Sequence, residues 1–149
     1  MATAWGEFQE LMKAEMRKVY SETVVDHAMN PRNLGSMENA DGFARITGPC
    51  GDTMEIWLRV RSDSIVKASF MTDGCGTTIA AGSMVTELVK GKSATQALKI
   101  GQHDVLSALG GLPQESQHCA LLAANTLKAA IKDYLASKNE PWKRAYRRQ

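Results

Sequence analysis

Apolar side chains alternate with others along residues 53–60, and this alternation restricts the possible folds more than any other feature. Met54, Ile56, Leu58 and Val60 would share one face of an extended strand. Strand-like runs also occupy 43–47 and 65–72, and a turn-forming sequence at 61–64 joins the second run to the third. After Gly76 the apolar spacing becomes helical. The pattern predicts an α+β fold, a small antiparallel three-stranded sheet with helices packed on it, in a single domain.

Helices are predicted both before and after these strands in the sequence. An N-terminal amphipathic helix would carry Trp5, Phe8, Met12, Met16 and Val19 on one face. We expect that face to pack on the core, with contact to a second copy or a partner protein as the alternative. A second helix covers 21–29, and later helices are predicted to begin at Thr77 or Thr78, Ser93, His103 and Gln117. The chain is thus divided into a helical extension, 1–19, a central domain, 20–137, and a basic, flexible tail, 138–149.

Composition and charge exclude several classes of function. A net charge of +2 over 149 residues is too small for nucleic acid to be the main partner. No segment reaches the roughly 20 apolar residues of a membrane span, and the first residues lack the features of a secretory signal. The three cysteines are widely separated and odd in number, which argues against a disulfide framework. Reduced thiols and a cytoplasmic location are therefore expected.

The three cysteines lie in local sequences that are typical of metal ligands. Cys50 is followed by Gly51 and Asp52, Cys75 lies between two glycines, and Cys119 follows His118. Glycine lets the backbone approach a sulfur ligand closely. Three thiols with Asp52 or His118 make four potential ligands, the number that an iron–sulfur cluster or a closed zinc site requires. The sequence thus predicts a metal centre made of Cys50, Cys75, Cys119, Asp52 and His118.

The fourth ligand is left open at this point. Aspartate is a hard oxygen donor and imidazole suits iron better, but either would make the site more labile than four thiolates. Cys75 and Cys119 are expected at helix N-termini, where the helix dipole favours thiolates. Both cysteines are therefore expected to have a lowered thiol pKa.

Several short motifs occur in an order that resembles one known family. They are Tyr20-Ser21, His27, the segment 30–33 with Gly35, Cys50-Gly51-Asp52, Gly74-Cys75-Gly76, the segments 85–87 and 89–93, and His118-Cys119. Together they resemble the U-type iron–sulfur cluster assembly scaffolds, the IscU proteins and the N-terminal domain of NifU. The resemblance covers about 19–134. It implies an α+β scaffold that is not an enzyme, on which a transient [2Fe–2S] cluster is assembled, with the three cysteines as ligands and Asp52 and His118 around the site.

The resemblance also implies partners. Sulfur would come from a cysteine desulfurase, with Cys119 as the candidate sulfur acceptor because its position at a helix start favours the thiolate. Electrons would come from a ferredoxin-like donor, and the cluster would pass to apo iron–sulfur proteins. Many bacterial members carry Leu-Pro-Pro-Val-Lys before the His-Cys pair, which a dedicated DnaK-type chaperone recognises. Here that segment is 112–116, Leu-Pro-Gln-Glu-Ser, so such a chaperone is not expected. A homodimer is possible, and neither nucleic acid nor a membrane is expected as a partner.

Two other functions use the same residues. The first is a zinc-binding structural or interaction module, and Zn²⁺ could also occupy the site in the protein as isolated. The second is a thiol enzyme with Cys119 as nucleophile and His118 as base. Adjacent helical residues splay about 100° apart, which disfavours that pairing.

His27 and Arg32 are interpreted as residues that fix the loop before the sheet.

Overall fold

The computed structural model describes residues 4–139 of the chain. Helices α1 and α2 precede a three-stranded sheet, and four further helices follow it. The bounds are α1 Ala4–Arg17, α2 Glu22–Met29, β1 Gly42–Thr47, β2 Thr53–Arg61, β3 Ser64–Thr72, α3 Gly76–Val89, α4 Ala94–Ala97, α5 Gln102–Leu109 and α6 Gln117–Asn139, with a 3-10 turn at Gln114–Ser116.

The sheet has the order β1-β2-β3 and is antiparallel throughout. The alternating residues Met54, Ile56 and Leu58 are fully buried on one face of β2. Ser62 and Asp63 join β2 to β3, both with positive φ, as expected of a tight two-residue hairpin. The predicted α+β fold is confirmed, because the periods of the sequence match the burial of the strands.

Helices α3 and α6 pack against the sheet and against each other. The ring of Phe70 in β3 lies against α3 at Gly82, where a Cβ would approach the ring within 2.5 Å. On the side of α6, Leu127 and Ile131 are fully buried in the same core. None of the helices within residues 4–139 is long and apolar enough to span a bilayer.

The loop between α2 and β1 is fixed by polar contacts, as interpreted from the sequence. His27 is buried, with Nδ1 2.7 Å from Ser83 Oγ in α3, and the backbone N–H of Arg32 donates to the same oxygen. The Arg32 guanidinium donates to Asp26 over 2.6 Å. These contacts place the C-terminal end of α2 beside α3.

The expectation that α1 packs its apolar face on the core is wrong. No residue of α1 is buried, and Trp5, Phe8 and Met12 are exposed. The half-buried residues of α1 are Gly6, Gln9, Lys13 and Met16. The core face of the sheet is already covered by α3 and α6, and α1 packs mainly on α2, so the apolar face of α1 has no buried contact within residues 4–139.

The basic tail is described only at its start. Helix α6 runs to Asn139, and Lys138 Nζ lies 2.8 Å from Asp63 at the β2–β3 hairpin. Residues 140–149, which carry the rest of the predicted tail, lie outside the described residues.

Candidate metal centre

Three of the predicted ligands come from the ends of different elements. Asp52 immediately precedes β2, Cys75 is the N-cap residue of α3, and Cys119 lies in the first turn of α6. The turn before Asp52 depends on Gly51, whose φ of 91° suits glycine. The ends of packed elements hold side chains more firmly than a free loop would.

Two consecutive threonines connect these ligands. Thr78 Oγ1 donates to Asp52 Oδ2 over 2.9 Å and lies 3.3 Å from Cys119 Sγ. Thr77 Oγ1 lies 3.1 Å from Cys75 Sγ and 3.4 Å from Cys119 Sγ. The expectation that the helix begins at Thr77 or Thr78, with that threonine as its cap, is wrong. Cys75 is the N-cap residue, and the two hydroxyls in the first turn of α3 face the thiols instead.

His118 contacts Cys119 directly. Its Nε2 lies 3.7 Å from Cys119 Sγ, although adjacent helical residues point in different directions. The expectation that the two would splay too far apart to pair is therefore wrong: the imidazole is long enough to fold back from the exposed surface toward the buried thiol.

Cys50 stands apart from the other four residues. It is exposed in the turn before β2, and no described hydrogen bond joins it to the other ligands. Within residues 4–139, no three His, Cys, Asp or Glu side chains are close enough together to hold a metal ion. Asp52, Cys75 and Cys119 thus contact the two threonines, and His118 contacts Cys119. To hold a metal ion these side chains would have to draw closer together, and Cys50 would have to move to join them.

The pKa values of two thiols are shifted in opposite directions. The Thr77 hydroxyl, with the backbone N–H groups of Thr77 and Thr78, lowers the pKa of Cys75. Burial raises the pKa of Cys119 and outweighs its hydrogen bonds to Thr77 and Thr78. The expectation of acidic thiols at helix N-termini is confirmed for Cys75. It is wrong for Cys119, which is only 1% exposed.

Comparisons with known proteins relate this chain to one family. Residues 19–141 match the family model of the NifU-like N-terminal domain. The chain is 48% identical over 117 residues to the iron–sulfur cluster assembly scaffold protein IscU 1 of Archaeoglobus fulgidus, covering 78% of this chain and 76% of that protein. It is 46% identical over 120 residues to the Escherichia coli iron–sulfur cluster assembly scaffold protein IscU, covering 77% and 93% respectively.

A solved structure shows the same fold. The N-terminal domain of a nitrogen-fixing NifU-like protein from Brucella abortus aligns with a TM-score of 0.64 at 17% identity, covering 81% of this chain and 97% of that chain. The family model matches most of the chain, and the sequence identity to the IscU proteins is far higher than two proteins need in order to share a fold. This chain therefore belongs to the NifU-like N-terminal domain family, together with the IscU scaffold proteins.

Proposed function

We propose that this chain is a scaffold on which a transient [2Fe–2S] cluster is assembled and from which it is transferred to apo-proteins. One observation carries the proposal: Asp52, Cys75 and Cys119 contact the hydroxyls of Thr77 and Thr78 at the ends of packed elements, and His118 contacts Cys119. The exposed Cys50 would complete the set by movement of its turn. The names of the relatives, iron–sulfur cluster assembly scaffold proteins, support the same function.

The three thiolates would hold the iron of the cluster. Cys75 is already exposed with a lowered pKa, so it is ready to bind metal. Asp52 is half-buried inside the group, and its carboxylate is a harder, weaker iron ligand than a thiolate. We assign to Asp52 the role of making the cluster labile, which suits a carrier that must release what it holds.

Cys119 remains the proposed sulfur acceptor, with His118 beside it. The Cys119 thiolate would attack the terminal sulfur of a persulfide on a cysteine desulfurase, and the donor cysteine would leave as a thiolate. His118 Nε2, 3.7 Å from Sγ, can take the thiol proton. Because Cys119 is 1% exposed, the residues that cover its sulfur must move before the persulfide can reach it.

Completion of the cluster needs electrons as well as sulfur. Each sulfane sulfur must gain two electrons to become sulfide, and a ferredoxin-like donor would supply them. The protein does no turnover chemistry in this proposal, because the assembled cluster leaves it as cargo. The cytoplasm is the proposed compartment, where thiols stay reduced.

Anaerobic reconstitution tests this function against a zinc-binding module. The apo-protein is incubated with ferrous iron, a cysteine desulfurase, cysteine and a reductant, and then desalted. A scaffold gives a red-brown protein with visible absorption and equal amounts of bound iron and sulfide. A protein that stays colourless, takes up neither iron nor sulfide, and in a parallel incubation binds one added Zn²⁺ tightly would overturn the proposal in favour of the zinc module.

A further inference from the structure

Thr78 is the residue around which the candidate site is arranged. It is completely buried, yet its hydroxyl contacts three of the predicted ligands. Oγ1 lies 2.9 Å from Asp52 Oδ2, 3.3 Å from Cys119 Sγ and 3.8 Å from Cys75 Sγ. A hydroxyl has one proton to donate and two lone pairs to accept with. The hydroxyl can donate to only one partner at a time, and it donates to the Asp52 carboxylate.

The position of Thr78 is fixed from two sides. Its backbone belongs to the first turn of α3, and its side chain fills the space over Gly74. A Cβ on Gly74 would lie 2.6 Å from Thr78 Cβ and 2.7 Å from Oγ1, so the glycine is required for this side chain to sit where it does. Threonine is also stiff at χ1 because it is β-branched. Thr78 is therefore a rigid anchor.

We propose that Thr78 is a positioning residue that holds the Asp52 carboxylate beside Cys119. With Oδ2 bonded to Thr78, Oδ1 is the oxygen left to approach the cluster. Without the hydroxyl, Asp52 loses its described partner in the site and can turn toward solvent. This inference rests on the proposed function, in which Asp52 makes the cluster labile.

Thr77 provides a matched control. It is the neighbouring buried threonine and contacts the sulfurs of Cys75 and Cys119, but it has no described bond to Asp52. Replacing either threonine with valine preserves its shape and removes only the hydroxyl. Thr78→Ser restores the hydroxyl without the methyl group.

The experiment compares these variants after loading with a cluster. We expect Thr78→Val to lengthen the half-life of the bound cluster several-fold, in the same direction as Asp52→Ala, and Thr78→Ser to restore the wild-type value. Adding Thr78→Val to Asp52→Ala should change the half-life no further, since the threonine acts through the carboxylate. Thr77→Val should not lengthen the half-life. An unchanged half-life in Thr78→Val, or an additive effect in the double variant, would overturn the proposal.

A second measurement needs no cluster. In a crystal structure of apo Thr78→Val, the Asp52 carboxylate should have left its place beside Cys119, whereas in apo Thr78→Ser it should remain. A carboxylate that stays in place in both variants contradicts the positioning role. Failure of the wild-type protein to take up a cluster would instead count against the proposed function, and the apo structures would still decide the role of Thr78. Cooperative thermal unfolding of each variant verifies that it is folded, with Thr78→Ala as the substitute if Thr78→Val is not.

Discussion

At the scale of single residues, the three cysteines differ in exposure but are expected to be equally necessary. Replacing Cys50, Cys75 or Cys119 with serine substitutes a hard oxygen donor for a soft thiolate. Each variant should therefore lose most of the visible absorption that the wild-type protein gains on anaerobic reconstitution. Ser107→Ala, an exposed change on α5, is the control and should load fully.

Full loading of any one of these variants would remove that cysteine from the set of ligands. Cys119 needs an additional check because it is buried. Cys119→Ala should unfold at a temperature close to that of Cys119→Ser and should also fail to load, which separates loss of a ligand from loss of the fold.

Removing the Asp52 carboxylate is expected to have the opposite effect, a cluster that is retained longer. Asp52→Ala should bind a cluster that persists several-fold longer in air than that of the wild-type protein, because a weak, hard ligand has been removed. The decay of visible absorption measures this lifetime. His118→Ala is the companion variant, and the variant that changes the spectrum more identifies the fourth ligand. A faster decay in Asp52→Ala would be incompatible with the proposed role of Asp52.

The sequence predicted the candidate ligands but not the residues that join them. Cys75, Cys119, Asp52 and His118 could be found because glycine and histidine neighbours marked them. The threonines were missed because a hydroxyl early in a helix is usually interpreted as a cap. Two of their partners, Asp52 just before β2 and Cys119 in α6, are far from the threonines in the sequence. Contacts between such distant residues leave no local sequence signal. The one available indication of their role was that these threonines come two and three residues after Cys75, a cysteine predicted to lie at the N-terminus of a helix.

At the scale of elements, the segment before α6 bears on chaperone recognition. Leu112 is buried, and Gln114–Ser116 form a 3-10 turn that leads into α6. A chaperone that binds an extended peptide would have to unwind this turn and extract Leu112. The segment also has Gln114, Glu115 and Ser116 where many bacterial relatives have Pro-Val-Lys.

A peptide of residues 112–119 should therefore bind a dedicated DnaK-type chaperone much more weakly than the same peptide carrying Leu-Pro-Pro-Val-Lys. Loss of one buried apolar contact alone costs ~1–3 kcal/mol, or roughly 5- to 160-fold in affinity. Fluorescence anisotropy of labelled peptides measures the difference. Equal affinities, with equal stimulation of the chaperone ATPase, would show that the substitutions are harmless.

Helix α1 shows how far periodicity predicts packing. Its apolar spacing correctly indicated a helix, but not what the helix packs against, because periodicity specifies a face and not a partner. In β2 the alternation of apolar side chains was sufficient to predict which side chains are buried. The strand lies between β1 and β3, so its apolar face can pack only on the single core of the protein.

At the scale of the whole molecule, stability should decrease in mild acid because of His27. Burial, with a contribution from the Arg32 charge, holds the pKa of His27 below its ordinary value of about 6.5. The unfolded chain therefore binds a proton at this site more readily than the folded chain. The contribution of neutral His27 to the stability of the folded protein is complete above about pH 6.5 and is lost as the pH falls below that value. The lowered pKa values of Asp26 and Glu87 act only below about pH 4.5, outside this window.

Denaturant unfolding at about pH 7.5 and about pH 5.5 measures this effect. The wild-type protein should lose free energy of unfolding at the lower pH. His27→Gln should be less stable at both values but should lose less between them, whereas the exposed His103→Gln should behave as the wild-type protein does. An equal loss in His27→Gln would exclude His27 as the cause.

Transfer of the cluster is the measurement that tests the central claim most directly, because a scaffold differs from a stable iron–sulfur protein in giving its cluster away. The reconstituted protein is mixed anaerobically with an apo-ferredoxin in the presence of an iron chelator, and visible circular dichroism follows both proteins. We predict that the ferredoxin spectrum grows as the scaffold spectrum decays, with little iron captured by the chelator. A cluster that stays on this chain, or that reaches the chelator and not the ferredoxin, would contradict the account.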